Sequence, residues 1–388
     1  MQIALIGTRG VPARYGGFET CVEEVGSRLV AAGHSVRVYC RPSGTHQAGD
    51  EQDEYLGMQL IHLPAVRQRS METLAHTALS VFHRSLHGAD AAIVFNAANS
   101  PLLPVIKARG IPVATHVDGL EWRRGKWGST GRKYYRGAEA LAVRWSDALI
   151  ADAQGIADYY AAEFEAPTEL IAYGAPILVD PGVARIEALG LASHRYHLVV
   201  SRFEPENHVL ETVRGYVASD AQLPLVVVGS APYAGDYTAQ IAAAADDRVR
   251  LLGPLWDQDQ VNELYAHALS YFHGHSVGGT NPSLLRAAGA ATFTIAYDVN
   301  FNREVLGQHA DYFTTSDDVS QLVMKAEGDP DLAAERGRAL QQDIHRYNWD
   351  DVADRYAELC GRLARREYPR RRPSGRRTGA WPERNQIS

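Results

Sequence analysis

The sequence predicts an α/β protein with two successive domains, each built on a doubly wound parallel sheet. The chain has 388 residues, which is longer than the roughly 250–300 residues that a single hydrophobic core serves. Short apolar runs alternate with segments whose apolar residues recur at helical spacing, as is typical of βαβ units. The alternation is interrupted once and begins again after residue 190. These observations favour two α/β domains over one larger domain.

The first predicted domain begins with the strand IALIG, which ends at a glycine. The next segment, FETCVEEVGSRLVAAG, has apolar residues at helical spacing and stops at Gly33, and HSVRVYC is predicted to be the second strand. Three more apolar runs continue the series: AAIVFN, PVATHV and ALIADA. Helical segments between these runs indicate parallel strands joined by crossover helices.

The second predicted domain repeats the pattern with HLVVSRF, LPLVVVGS, VRLLGPL, ALSYFHG and TFTIAYD. Segments such as DQDQVNELYAHA, between two of these runs, have helical spacing. We expect an N-terminal domain over residues 1–185 and a C-terminal domain over residues 186–345. An amphipathic helix over residues 346–366 is expected to pack back across the domains. The arginine-rich tail, residues 367–388, has too little apolar surface to offset ordering and is expected to be disordered.

Two such domains place strand carboxyl ends and helix N-termini on both sides of one interdomain cleft. Ligands of open parallel sheets bind beyond the carboxyl ends of the strands. The sequence therefore predicts that the chemistry lies between the two domains.

Composition indicates a globular protein outside the membrane. Hydrophobic residues make up 45% of the chain and charged residues 22%, and no window approaches the roughly 18–20 apolar residues of a membrane span. The N-terminal MQIALIG is better explained as a strand than as a signal peptide. Cys21, Cys40 and Cys360 show no paired spacing, so we expect reduced thiols and a cytoplasmic location.

The formal charge of −7 argues against a general nucleic-acid partner. One basic stretch, WRRGKWGSTGRKYYRG, mixes arginines with Trp122, Trp127, Tyr134 and Tyr135. Such a mixture favours peripheral contact with anionic lipid at the inner face of the plasma membrane. A solvated basic face is the alternative.

The first predicted strand is followed by the glycine-rich stretch GTRGVPARYGGFET. Gly7 and Gly10 suit a tight turn, whereas Gly16 and Gly17 stand just before a helix. Backbone amides can approach a phosphate where side chains are missing, and a helix N-terminus favours the anion. The stretch lacks the GxGxxG pattern of dinucleotide-binding enzymes. A loop of purely structural use is the other alternative.

A second candidate segment, ATHVDGLEWRRGKW, follows the strand PVATHV directly. His116 and Asp118 stand at the strand's carboxyl end, where a histidine can hydrogen-bond a sugar hydroxyl or move a proton. Glu121 and Arg123 add polar groups nearby. The alternative is a satisfied core histidine, and a metal site is disfavoured because no second ligand stands at metal-ligand spacing.

The third candidate segment, HGHSVGGTNPSLLRAAG, leads from a strand through Gly278, Gly279, Thr280 and Asn281 into a helix that begins with proline. Asn281 is predicted to cap that helix, which leaves backbone amides for a phosphate. In SRFEPENH, Arg202 ends the first strand of this domain, and its forked charge suits a diphosphate.

Five motifs in order resemble one family: GTRGVPARYGGFET, HVDGLEW, SRFEPEN, VGGTNPSLL and FNREVLG. Over roughly residues 1–362, the chain resembles the retaining glycosyltransferases of family 4, which have the GT-B fold of two Rossmann-like domains. It is most similar to the bacterial branch of β-1,4-rhamnosyltransferases that assemble polysaccharides.

The resemblance implies a nucleotide-sugar donor as substrate, held mainly by the C-terminal domain, and no metal or other cofactor. It also implies a saccharide or lipid-linked saccharide acceptor on the N-terminal domain. By this analogy the candidate catalytic residues are His116 and Asp118. The donor-binding residues are Gly16, Gly17, Arg202, Gly278, Gly279, Thr280, Asn281 and Glu304.

The sequence departs from the family at two places. The E-x7-E motif, whose second glutamate binds the nucleotide ribose in the family, is replaced by Gly278 and Arg286, and arginine cannot accept a hydrogen bond. Asn207 stands near the position of a diphosphate-binding lysine. Arg9, Arg14 or Arg286 is our hypothesis for the missing positive charge, and Glu121 is a further uncertain site residue.

Two other functions stay open from the sequence. A sugar-nucleotide epimerase of the same fold would need acid/base carboxylates and no acceptor. A degenerate paralogue would bind sugar nucleotides weakly or serve as an assembly partner, and Arg286 is the feature that raises this alternative.

Overall fold

The structure is a computed structural model that describes residues 1–13, 16–42, 52–65, 72–117, 119–125, 127–230 and 235–368. Contacts divide the described chain into two compact units. Unit 1 comprises Met1–Trp122, Trp127–Tyr173 and the described residues from Trp349 onward. Unit 2 comprises residues 123–125 and Gly174–Asn348. The main part of unit 1 thus ends at Tyr173, whereas the sequence prediction extends the N-terminal domain to residue 185.

Unit 1 contains an eight-stranded sheet in its described residues. Its strands are β1 (Gln2–Ile6), β2 (Ser35–Cys40), β3 (Glu54–Tyr55), β4 (Met58–His62), β5 (Ala91–Phe95), β6 (Val113–His116), β7 (Ala148–Ala151) and β8 (Glu169–Leu170). The spatial order is β3-β4-β2-β1-β5-β6-β7-β8. All neighbouring strands are parallel except the short β3, which runs antiparallel to β4. The predicted parallel sheet is therefore confirmed.

Five helices of unit 1 connect these strands: α1 (Gly17–Ala31), α2 (Glu72–Phe82), α3 (Leu103–Ala108), α4 (Ser129–Trp145) and α5 (Gln154–Phe164). The first helix begins after Gly16, whose backbone is extended, and ends before Gly33, which has a φ of +85°. Glycine adopts this left-handed conformation without steric cost, so Gly33 stops the helix as the sequence predicts.

The described part of unit 2 contains a six-stranded parallel sheet. Its strands are β9 (His197–Val200), β10 (Leu225–Val228), β11 (Val249–Gly253), β12 (Ser270–His273), β13 (Thr294–Tyr297) and β14 (Asp311–Phe313). The order β11-β10-β9-β12-β13-β14 places the first strand beside the fourth. This is the order of a doubly wound dinucleotide-binding sheet, and it confirms the predicted architecture of the second half.

The remaining helices are α6 (Ala184–Ala188), α7 (Val209–Val217), α8 (Gly235–Ala244), α9 (Gln258–Ala266), α10 (Pro282–Gly289), α11 (Asn300–Leu306), α12 (Ser316–Gly328), α13 (Pro330–Asp343) and α14 (Trp349–Ala364). Side chains fix where several of them start. Asp257 caps α9, Thr315 and Asp318 form a capping box on α12, and Asp329 caps α13. Each cap satisfies an amide that the helix itself leaves unpaired.

The inner strands of the unit 2 sheet are buried on both faces, which explains why β9, β10 and β12 contain apolar runs. Val199 and Val227 belong to the core cluster on one face, whereas Leu198 and Val226 belong to the cluster on the other. Successive residues of a strand point to opposite faces, so adjacent residues serve different cores.

The last helix, α14, belongs to unit 1, although it follows unit 2 in the chain. It packs against α1, where the Cys21 thiol donates to the Tyr356 hydroxyl at 3.6 Å and Arg28 pairs with Asp350 at 2.6 Å. Of the tail predicted to be disordered, the structure describes only Glu367 and Tyr368, and the rest lies outside the described residues.

Candidate functional site

The strand order of each sheet reverses at one point, and ligands of such sheets bind beside that point. In unit 1 the reversal lies between β1 and β5, and the glycine-rich loop follows β1. In unit 2 it lies between β9 and β12. Arg202 follows β9, and the loop of Gly278 follows β12. Each predicted loop therefore stands at the switch point of its own sheet.

Two glycines shape the loop after β1. Gly7 has a φ of +102°, and a Cβ added there would lie 2.5 Å from the Phe95 carbonyl oxygen. Gly10 has a φ of +99°, and its Cβ would overlap the Cys40 side chain. Other residues would strain the backbone and collide with neighbours at both positions, so the two glycines are required by the turn.

The carboxylates of α1 already hold part of this loop. Glu19 Oε1 accepts from the Arg9 amide at 2.9 Å, and Glu23 Oε2 accepts from the Ala13 amide at 2.6 Å. Those amides are not available to a phosphate. The start of α1 differs, because Gly16 stands at its N-cap without a side-chain hydrogen bond. A role for this segment in donor binding thus concerns Gly16 and Gly17, and it stays a prediction.

His116 ends β6 as a fully buried residue. Its ring stacks with Phe95 and Tyr173, at centroid distances of 5.5 and 5.9 Å, and meets the edge of Phe18 at 5.1 Å. Among the described residues, neither ring nitrogen has a hydrogen-bond partner. Burial lowers the pKa of His116 to about 3, so the imidazole is neutral at pH 7. Its contacts in the described part of the chain are aromatic rings, and a role of His116 at the site stays a prediction.

Two predicted site residues near this region, Asp118 and Arg14, lie outside the described residues. Glu121 is buried and accepts a hydrogen bond from Trp127 Nε1 at 3.3 Å. This contact joins two parts of the segment after β6 and gives Glu121 a structural role there.

Two arginines proposed to supply missing charge contact other groups. Arg9 Nη2 lies 3.7 Å from the Glu72 carboxylate. Arg286, on α10, donates to Gln258 Oε1 at 2.9 Å. Neither contact involves the glycine loops, so these contacts do not support our hypothesis for Arg9 or Arg286.

In unit 2, Asn207 fixes the backbone that carries Arg202. The buried Asn207 donates through Nδ2 to the Arg202 carbonyl oxygen at 2.8 Å. Gly274, beyond β12, has no room for a side chain, because an added Cβ would overlap the Asn207 carbonyl oxygen. The loops after β9 and β12 therefore lie in close backbone contact, and Asn207 serves their geometry rather than supplying charge.

The loop after β12 is open at Gly278, which has a φ of +140°. Among the described residues, an added Cβ would meet Arg124 Nη2, at 4.0 Å, and no other atom. Asn281 caps α10, as predicted, because its Oδ1 accepts from the Ser283 amide at 2.9 Å. The helix thus presents its N-terminus beside the switch point, which favours an anion.

Charged groups that the sequence prediction did not assign as site residues surround the same loop. Residues 123–125 group with unit 2, and Arg124 Nη1 lies 3.9 Å from Glu206 Oε1. His275 is buried, and burial lowers its pKa well below the usual value. His273, Arg202, Arg124 and His208 lower it further by charge. Arg124 and Arg202 therefore both act on the region around His275.

The sequence contains weak signals for Glu206 and Arg124. Glu206 lies in the SRFEPEN motif, and Arg124 in a basic stretch. Because the chain has 39 basic residues, most of them arginine, no single arginine can be singled out from the sequence. The contact of Arg124 with Glu206 spans 82 positions of sequence, which no local pattern encodes.

Glu304, the last predicted donor-binding residue, lies on α11. The Arg346 guanidinium donates to its carbonyl oxygen at 2.8 Å. Two residues earlier, Asn302 donates through Nδ2 to the His275 carbonyl oxygen at 3.0 Å. The helix thus supports the loop after β12, and the contact of Glu304 with a donor stays a prediction.

Within the described ranges, no group of three or more His, Cys, Asp and Glu side chains is arranged to hold a metal ion. The described helices include none that is both long and apolar enough to cross a membrane.

Comparison with known families matches residues 16–174 to the Glycosyl transferase 4-like domain. This match covers the glycine-rich loop, from Gly16 onward, and the His116 segment. No curated protein matches the sequence significantly.

Solved structures resemble the chain over almost its whole length. Sucrose-phosphate synthase from Thermosynechococcus elongatus is 18% identical, with a TM-score of 0.77, over 93% of this chain and 98% of that one. Anabaena HepE in complex with UDP-glucose is 17% identical, with a TM-score of 0.74, over 93% of this chain and 99% of that one. A glycosyltransferase from Rickettsia africae is 12% identical, with a TM-score of 0.69, over 93% and 98%. These likenesses show the GT-B fold.

Proposed function

We propose that this chain is a retaining glycosyltransferase that uses a nucleoside-diphosphate sugar. The transferred group is a hexose or 6-deoxyhexose, with rhamnose as our choice, and the acceptor is a saccharide or lipid-linked saccharide of polysaccharide biosynthesis. The observation that carries the proposal is the Glycosyl transferase 4-like domain over residues 16–174. The similar structure of HepE with UDP-glucose agrees with a nucleotide-sugar donor.

The geometry of unit 2 suits the donor. In the reaction, the bond between the sugar and the diphosphate breaks, a bond to an acceptor oxygen forms, and the acceptor hydroxyl loses its proton. The leaving diphosphate gains negative charge, which fixed positive groups must stabilise. Arg202 and the N-terminus of α10 stand at the switch point for this task. His116 is our candidate for contact with the sugar as a neutral donor or acceptor.

We also propose that the reaction needs no metal ion, since fixed cations and helix amides can replace it at the diphosphate. Turnover should then be unchanged after EDTA treatment and dialysis. Loss of turnover, with recovery on adding Mg²⁺ or Mn²⁺, would contradict this part of the proposal.

The function is tested by incubating the purified chain with UDP-, GDP- and dTDP-linked sugars, with and without saccharide acceptors. Slow donor hydrolysis or transfer, with the anomeric configuration kept in the product by NMR, supports the proposal. Isomerisation of the donor without an acceptor would instead identify an epimerase. Neither binding nor turnover would favour the degenerate paralogue.

We further propose that a basic face of α4 rests on anionic lipid, with the enzyme on the cytoplasmic side of the membrane. Arg132, Lys133 and Arg136 are exposed at the start of this helix. The Arg136 guanidinium lies 4.9 Å from the Trp122 ring, and Tyr134 is 39% exposed. Cations beside aromatic rings suit the interface of an anionic bilayer.

Liposome sedimentation tests this contact. Binding should require acidic lipid, fall at high salt, and weaken in the double variant Arg132→Glu and Lys133→Glu. The control, Arg214→Glu with Arg338→Glu, reverses two exposed charges of unit 2 and should bind as the parent protein does. Equal sedimentation with neutral and acidic lipid would leave a solvated basic face as the explanation.

A further inference from the structure

One buried carboxylate of unit 2, that of Glu206, accepts no hydrogen bond from the part of the chain that the structure describes. Glu206 is 8% exposed, and among the described residues neither of its carboxylate oxygens has a hydrogen-bond partner. The Glu206 backbone, in contrast, is firmly held, because its carbonyl oxygen accepts from the amide and hydroxyl of Ser276, both at 3.0 Å. Burying an ionised group without hydrogen bonds is costly, so such a group usually has a task.

The cation beside Glu206 indicates what that task is. Arg124 Nη1 lies 3.9 Å from Glu206 Oε1, which is an ion pair but too long for a hydrogen bond. The Arg124 side chain is only 16% exposed. A largely enclosed guanidinium has few orientations, and the carboxylate of Glu206 is one of the groups that limit where the fork of Arg124 points.

The other side of that fork faces the open loop. Arg124 Nη2 lies 4.0 Å from the position that a Cβ of Gly278 would occupy. Two residues beyond Gly278, at Thr280, the chain approaches the N-cap of α10. Arg202 acts on the same region, because it and Arg124 both lower the pKa of the buried His275 through their charge. Two guanidinium groups and a helix N-terminus thus converge beside an open backbone.

We propose that Arg124 is a second diphosphate-binding arginine of unit 2 and that Glu206 is its positioning residue. The inference rests on the proposed function, because its ligand is the diphosphate of a nucleotide sugar. A diphosphate at this loop receives one guanidinium from Arg202 and one from Arg124. Glu206 stays behind Arg124, where it balances the charge and holds the fork toward the phosphate oxygens.

This role makes an unusual prediction for Glu206→Gln. Removing a negative charge near a phosphate site should strengthen anion binding if charge alone matters. If Glu206 positions Arg124, the same variant should weaken diphosphate binding, because the guanidinium is no longer held toward the loop. The direction in which the diphosphate affinity of Glu206→Gln changes therefore distinguishes a positioning role of Glu206 from a passive one.

The experiment titrates the full chain with UDP, GDP and dTDP, and with the matching nucleoside monophosphates, by calorimetry. For the diphosphate that binds best, Arg124→Ala should weaken binding about tenfold or more, as loss of a charge-assisted hydrogen bond does. The affinity for the matching monophosphate should fall less. The diphosphate affinity of Arg124→Lys should lie between those of the parent protein and Arg124→Ala. Glu206→Gln should also weaken binding of the diphosphate, as Arg124→Ala does. Arg214→Ala, which removes an exposed charge on α7, is the matched control and should leave affinity unchanged.

Melting temperatures and circular dichroism of every variant exclude misfolding as the cause. Unchanged diphosphate affinity in Arg124→Ala, or tighter binding in Glu206→Gln, would overturn the inference while leaving the proposed function in place. If the parent protein binds none of the three diphosphates, the proposed function fails, and the inference fails with it.

Discussion

His116 combines a buried position with two ring nitrogens that lack partners among the described residues. Packing alone would be served as well by phenylalanine, since the ring sits among Phe18, Phe95 and Tyr173. A polar ring whose hydrogen bonds are unmade weakens a core rather than stabilising it. The residue therefore makes sense if its nitrogens meet a ligand.

His116→Phe should separate packing from chemistry. We expect the free energy of unfolding to change by less than about 1.5 kcal/mol, because the aromatic contacts remain. Turnover should fall by about a hundredfold or more if the imidazole contacts the transferred sugar. Steady-state kinetics and urea unfolding on the same preparation measure both. Unchanged turnover would show that His116 serves packing in the core and does not contact the sugar.

Single residues also show where prediction from sequence ends. His116 and Arg202 could be chosen as candidates because each stands at or just after the end of an apolar run, and strand ends are where ligands of α/β sheets bind. The pair of Arg124 and Glu206 could not, because it joins segments distant in sequence. Asn207 looked like a missing lysine, and the structure shows an amide that secures the Arg202 backbone.

Among the elements, strands that are continuous apolar runs were predictable, and short or alternating strands were not. Runs such as HLVV and LVVV are apolar on both faces, so their burial is encoded in every residue. The edge strand β14 has three residues, begins with Asp311 and gives no such signal. At the other sheet, β4 was also missed, because MQLIH alternates with polar residues.

Under the proposed function, the N-terminus of α10 is the element on which donor binding should depend most directly. Asn281→Asp should leave stability within about 0.5 kcal/mol, because both residues cap helices well. The added carboxylate stands where the diphosphate is expected, so UDP or GDP affinity should fall about tenfold or more through repulsion.

Thr315→Asp, at the cap of α12, adds the same charge beside the edge strand of this unit. It should keep nucleotide affinity unchanged in the same calorimetric titration. If Asn281→Asp and Thr315→Asp behave alike, α10 does not bind the phosphates.

For the whole molecule, buried neutral histidines predict a loss of stability in mild acid. Burial lowers the pKa of His116 and His273 to about 3, and that of His76 to about 4. An unfolded histidine has a pKa near 6.5, so below that value the unfolded chain binds more protons than the folded one. Stability is therefore present above about pH 6.5 and falls as pH decreases toward 4.

Each such histidine lowers the unfolding free energy by up to about 1.4 kcal/mol per pH unit across this range. Urea unfolding between pH 7.5 and 5 measures the slope. In His116→Phe the unfolding free energy should depend less steeply on pH, by the contribution of one titrating histidine. Equal stability at pH 7.5 and 5 would show that these rings are not held neutral.

The central claim is that this two-unit fold binds a nucleoside-diphosphate sugar. The most direct measurement is the melting temperature of the full chain with UDP-, GDP- and dTDP-linked sugars, each against its nucleoside monophosphate. Ligand at about 100 times its Kd stabilises a protein by about 2.7 kcal/mol. At least one nucleotide sugar should therefore raise the melting temperature by several degrees more than its monophosphate. If no nucleotide sugar does so, the chain does not bind a nucleoside-diphosphate sugar as proposed.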